Sequence, residues 1–131
     1  MNLRRFNRLL RITLGNRGER LAARHLQRQG FRILARQFRV RRGEIDLVAR
    51  EGNTLVFVEV KTRRRGLPAE AVTPEKQRRI TRTARAFLRR YGMLEAAIPC
   101  RFDIIAIVWA SDNLPPVIDH FRDAFPPAPD V

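Results

Sequence analysis

The chain has 131 residues, a net charge of +14 at pH 7 and 44% hydrophobic residues. That describes one globular domain and excludes a disordered chain. A single cysteine, Cys100, excludes an intrachain disulfide and a cysteine-built zinc centre, and no apolar run reaches membrane-spanning length.

Residues 1–14 read as a basic arm or amphipathic helix, with Leu3, Phe6, Leu10 and Leu14 on one stripe. The stretch is Arg-rich with no acid before Glu19, faintly like a transit peptide, but it lacks the continuous apolar run of a secretory signal. No membrane association is expected, and the lone cysteine suits a reducing, cytoplasmic setting.

Residues 15–125 form the expected single domain. A helix is predicted from Arg17 to Gln29, stopped by Gly30. Ala22, Ala23 and Leu26 share its inner face, and Glu19 lies on that face too. An acid there complements the helix dipole or points toward a site. Strands follow at Phe31–Val40, Glu44–Ala49 and Leu55–Thr62, with short turns that predict an antiparallel meander. The third strand is apolar on both faces, as at the centre of a covered sheet.

After the basic loop Arg63-Arg64-Arg65-Gly66, Thr73-Pro74 marks a helix start and Gly92 its stop near Tyr91. Its stripe of Ile80, Ala84, Phe87, Leu88 and Tyr91 faces a core, while Arg78, Arg82, Arg85 and Arg89 form a solvated face. A fourth strand, Phe102–Ala110, must pair in parallel with the third, because a helix connects them. Val117–Phe125 is read as a short terminal element and residues 126–131 as a Pro-rich tail. The expected fold is α/β, a mixed four-stranded sheet flanked by helices in the order α-β-β-β-α-β.

Two apolar runs carry charges. Asp46 lies in Gly43-Glu44-Ile45-Asp46-Leu47-Val48-Ala49, and Glu59 and Lys61 lie in Phe57-Val58-Glu59-Val60-Lys61. Burying such groups unpaired costs several kcal/mol, roughly. Strand side chains alternate, so Glu44 shares a face with Asp46, and Glu59 with Lys61. If the two strands pair with those faces aligned, Asp46, Glu59 and Lys61 converge. Carboxylates about 4 Å apart repel by roughly 4 kcal/mol at an effective dielectric of 20. Lys61 offsets part of that; Mg²⁺ or Mn²⁺ offsets it fully, and such an ion suits phosphodiester hydrolysis. The plainer reading is a buried Lys61–carboxylate ion pair. Three convergent groups in a strongly cationic chain favour the metal. Only two of the 27 basic residues are lysine, Lys61 and Lys76, so an ammonium at the end of this strand stands out.

An acid on one strand, Glu-x-Lys on the next and then a helix resembles the PD-(D/E)xK nucleases, the restriction endonuclease-like superfamily. The segments around Asp46 and Glu59, with Gly18-Glu19, Lys76 and Arg101-Phe102-Asp103, look like the YraN family of bacterial proteins. The resemblance spans roughly Gly15 to Phe125, with Ile45 standing where the superfamily's name has proline. It implies Asp46, Glu59 and the Val60 carbonyl as metal ligands. Lys61 would position water or phosphate, and Glu19 would be the first-helix acid of Holliday-junction resolvases, which act as dimers. No dimer face is readable in the sequence.

The leading expectation is a metal-dependent endonuclease on DNA, with branched or recombination intermediates among its substrates. Arg41, Arg42, Arg63, Arg64, Arg65 and Lys76 would contact the phosphate backbone, and Glu44 and Gln77 would support the site. The alternative is a non-catalytic nucleic-acid-binding module on the same fold. A weaker third reading is an arginine-rich protein bound to RNA or ribosomes. His25 and His120 have no metal-ligand spacing, Cys100 has no histidine partner, and Trp109 reads as core.

Overall fold

A computed structural model describes residues 17–66, 72–111 and 113–129. The expected N-terminal arm (1–14), Gly15-Asn16, Leu67-Pro68 and the last two residues lie outside the described part. The elements are α1 (Arg17–Arg28), β1 (Arg32–Val40), β2 (Gly43–Glu51), β3 (Thr54–Arg64), α2 (Pro74–Arg90), β4 (Cys100–Trp109) and β5 (Val117–Phe125). They build one sheet in the order β1-β2-β3-β4-β5.

Local chemistry sets the helix ends. Gly30, at φ +91°, lets the chain leave α1: its N–H donates to the Gln27 carbonyl and that of Phe31 to the Leu26 carbonyl. At the start of α2, Thr73 Oγ1 accepts the Lys76 N–H at 3.2 Å, and Pro74 follows the cap.

β1, β2 and β3 form the expected antiparallel meander. α2 then crosses over, and β4 pairs in parallel with β3 from Leu55↔Cys100 to Arg64↔Trp109. β3 is covered on both sides. Leu55 and Phe57 face α2 with Phe38, Ile80 and Phe87, while Val56 and Val58 face α1 with Ala22, Ala23 and Leu26. α2 packs on β2 and β1. Gly43 makes that approach possible, because a side chain there would run into Thr83 Oγ1 on α2.

The sheet has a fifth strand beyond the four expected. The terminal element Val117–Phe125 pairs antiparallel with β4 along most of its length. Its polar and exposed residues hide it from a search for apolar runs, since an edge strand is wet on one side. Asp103 anchors it. This fully buried carboxylate takes Arg101 Nε at 2.9 Å, His120 Nε2 at 2.8 Å and the Asp123 N–H at 3.0 Å. Asp103 thus pairs with an arginine from its own strand. The histidines are not isolated in space: Gln29 bridges His25 and His120. The tail is docked too, with the Ala128 N–H donating to Thr81 Oγ1 at 3.0 Å.

Candidate functional site

The β2–β3 ladder runs from Glu51↔Thr54 to Leu47↔Val58 and then stops. Past that point a side chain takes over from the backbone: the Val60 N–H donates to Asp46 Oδ2 at 2.8 Å. Asp46, Glu59 and Lys61 line one cavity of about 290 Å³, together with Val60, Thr62, Arg63 and Ala106. Ala106 sits beside Lys61 in the parallel ladder, and its small side chain leaves the space open.

The charges in the cavity are unevenly matched. Lys61 Nζ lies 3.6 Å from Glu59 Oε1. Among the described residues, no cationic side chain forms an ion pair with Asp46. Burial, then the charge of Glu59, pushes the Asp46 carboxyl up to about 7; the Val60 N–H opposes the shift, and Glu19 and Glu44 add to it. Burial also raises Glu59, against the pull of Lys61 and Lys76.

α1 brings in the third acid. Glu19 is 4% exposed, and Gln37 Nε2 donates to its Oε2 at 2.9 Å. Carboxylate oxygens of Glu19, Glu44 and Asp46 lie within 4.8 Å of one another. Glu44 is exposed at the mouth and pairs with Arg39 at 3.4 Å. The donor set is all oxygen, as hard divalent ions prefer. Its excess negative charge centres on Asp46, so the residues present fit Mg²⁺ or Mn²⁺.

The other expected residues divide. Arg63 lines the cavity. Arg41 and Arg42 are exposed in the β1–β2 turn at this end of the sheet. Arg64 and Arg65 are exposed past it, and the Arg65 N–H donates to the Trp109 carbonyl at 2.7 Å. Lys76 is near enough for its charge to act on Glu59. Gln77 is turned elsewhere, donating to the Val72 carbonyl at 3.0 Å.

Gln37 is the residue the sequence reading missed. It falls in β1 between the pairs Arg36↔Leu47 and Phe38↔Ile45, which puts it opposite Asp46. Its φ of +51° is rare for a residue with a side chain. A lone glutamine in a half-polar strand carries no signal of that geometry.

The mixed sheet, with a helix crossing from β3 to a parallel β4, has the order of a restriction endonuclease-like α/β core. The chain belongs to Uncharacterised protein family UPF0102, the YraN family, whose profile matches residues 18–107. It is 55% identical over 115 residues to a UPF0102 protein of Geobacter sulfurreducens, covering 86% of this chain and 88% of that one. A Rhodococcus jostii relative is 50% identical over 117 residues, covering 87% and 97%. One from Chlorobium phaeobacteroides is 44% identical over 119 residues, covering 86% and 92%. No helix among the described residues is long and apolar enough to cross a membrane.

Proposed function

We propose that this protein is a metal-dependent nuclease that hydrolyses phosphodiester bonds in DNA, branched or recombination intermediates included. One observation carries the reading: two half-buried carboxylates and an ammonium line a single cavity, and among the described residues no cation pairs with the carboxylate of Asp46. Asp46, Glu59 and the Val60 carbonyl would hold Mg²⁺ or Mn²⁺. Such an ion supplies positive charge against the charge developing on phosphate and acidifies water.

The remaining roles belong to the chain. Lys61, beside Glu59, holds a phosphate oxygen or the attacking water in the cavity. Gln37 fixes Glu19 toward Asp46. Arg63 meets the phosphate inside, and Arg41, Arg42, Arg64 and Arg65 meet the backbone on either side. These are backbone contacts, so recognition follows the shape of the nucleic acid rather than its bases. The resemblance to junction resolvases brings a homodimer with it, which sedimentation velocity checks.

Incubation with duplex, single-stranded and four-way DNA in Mg²⁺, Mn²⁺ or EDTA tests the activity. Cutting that needs the metal and disappears in Asp46→Ala and Lys61→Ala is the expected result. Salt-sensitive binding without cutting, unchanged in both variants, identifies the non-catalytic binding module instead.

A further inference from the structure

The outer face of α1 carries a second basic feature. Arg17, Arg20 and Arg24 are spaced to share one side of the helix. With Leu21 they line a cavity of about 260 Å³, separate from the one that holds Asp46. The only acid in α1, Glu19, points the other way, into the sheet and toward Gln37. Among the described residues no acid pairs with Arg20 or Arg24. The Arg17 guanidinium lies 4.2 Å from the centroid of the Trp109 ring. That contact holds one fork of donors in place and lowers the entropy lost when it binds.

The position of this cavity relates it to the first. Trp109 is in register with Arg64, one residue past Arg63 of the Asp46 cavity. Glu19 and Arg20 are sequence neighbours about 100° apart around the helix, so a single helical turn joins the two features. From Arg17 to Arg24 the helix rises about 10 Å, comparable to three base-pair rises along the axis of a duplex.

We infer that the Arg17–Arg20–Arg24 face of α1 binds the phosphodiester backbone of a nucleic-acid duplex whose neighbouring segment enters the Asp46–Glu59–Lys61 cavity. The inference rests on the proposed function for the identity of the ligand, but not on turnover. Guanidinium forks match phosphate oxygens in pairs, and the open pocket on Leu21 admits a backbone at close range. α2 serves as the contrast. It also has exposed arginines, but two of them, Arg78 and Arg82, line neither of these two cavities and, among the described residues, lie over no aromatic ring.

The test measures binding in EDTA, where cleavage plays no part. Fluorescence anisotropy is followed for the full-length chain on a short DNA duplex and on an RNA duplex, over a range of salt. Arg20→Ala with Arg24→Ala is expected to weaken binding by about tenfold or more and to lower the salt slope by roughly two on the duplex it serves. Alanine favours the helix, so folding is preserved. Arg78→Ala with Arg82→Ala removes the same charge and is expected to stay within about twofold of the wild type. Loss on one duplex alone identifies DNA or RNA as the source of the backbone. Equal loss in both double variants overturns the inference, because affinity then follows net charge. Unchanged binding in the α1 variant, or no binding by the wild type, overturns it as well. Selective loss in EDTA with no cutting in Mg²⁺ upholds this face while the nuclease reading fails; cutting with the α1 variant binding normally does the reverse.

Discussion

Asp46 carries the electrostatic cost of the site. Its carboxyl is pushed up to about 7 in the folded chain, against an ordinary value of 3.8. Below about pH 4 both the folded and unfolded chains hold the proton, so nothing is lost. Between about pH 4 and pH 7 the unfolded chain releases its proton first, so stability falls as pH rises; above about 7 the full penalty stands. Asp46→Asn removes the penalty and keeps an oxygen for the Val60 N–H. In EDTA the variant is expected to be more stable than the wild type, by an amount that grows from about pH 5 to about pH 8 and reaches the order of a few kcal/mol. Urea melts at the two pH values check this, and a difference that does not change with pH contradicts it. Gly43 gives a steric counterpart. Gly43→Ala is expected to cost about 1–3 kcal/mol through the clash with Thr83 Oγ1. Adding Thr83→Ala should restore part of that loss, which a double-mutant cycle of denaturant melts measures.

Among the elements, β5 depends most on one residue. Asp103 ties Arg101, His120 and the Asp123 N–H together, and Arg122 adds a link to Glu51 at 2.7 Å. Asp103→Ala leaves Arg101 with Glu51 alone and takes the acceptor away from His120 Nε2 and the Asp123 N–H. It is expected to cost about 3–5 kcal/mol in denaturant melts and to speed hydrogen exchange of the β5 amides before those of β2 and β3. Uniform loss across the sheet would contradict a local anchor. The same strand shows what a sequence hides. α2 was legible to the residue at its start, because Thr73 and Pro74 act on their own neighbours. For β5 the bounds Val117–Phe125 were legible too, but its place in the sheet was not, because that depends on partners such as Asp103 and Glu51, far away in the chain. Gln37 and Glu19 meet across 18 residues, and Arg17 and Trp109 across most of the domain, so those contacts were equally out of reach.

For the molecule as a whole, the order of elements and the parallel β3–β4 pair followed from strand and helix periods plus one crossover rule. Asp46, Glu59 and Lys61 were legible because charge inside an apolar run is conspicuous. Their convergence needed the neighbouring strands to bring those faces into line. The local end of the β2–β3 ladder, where Asp46 takes the Val60 N–H, needed coordinates. The net charge of +14 adds a prediction at this scale. Affinity for a DNA duplex is expected to fall steeply and linearly in log–log form as salt rises, a response that anisotropy titrations read and that a flat profile contradicts.

The most direct measurement of the central claim is a Mn²⁺ titration followed by electron paramagnetic resonance at about pH 8, with wild type, Asp46→Asn and Glu59→Gln side by side. The account predicts that the wild-type chain removes free Mn²⁺ from solution and that each variant loses this binding by about tenfold or more. Equal uptake by all three chains, or none by the wild type, would contradict it.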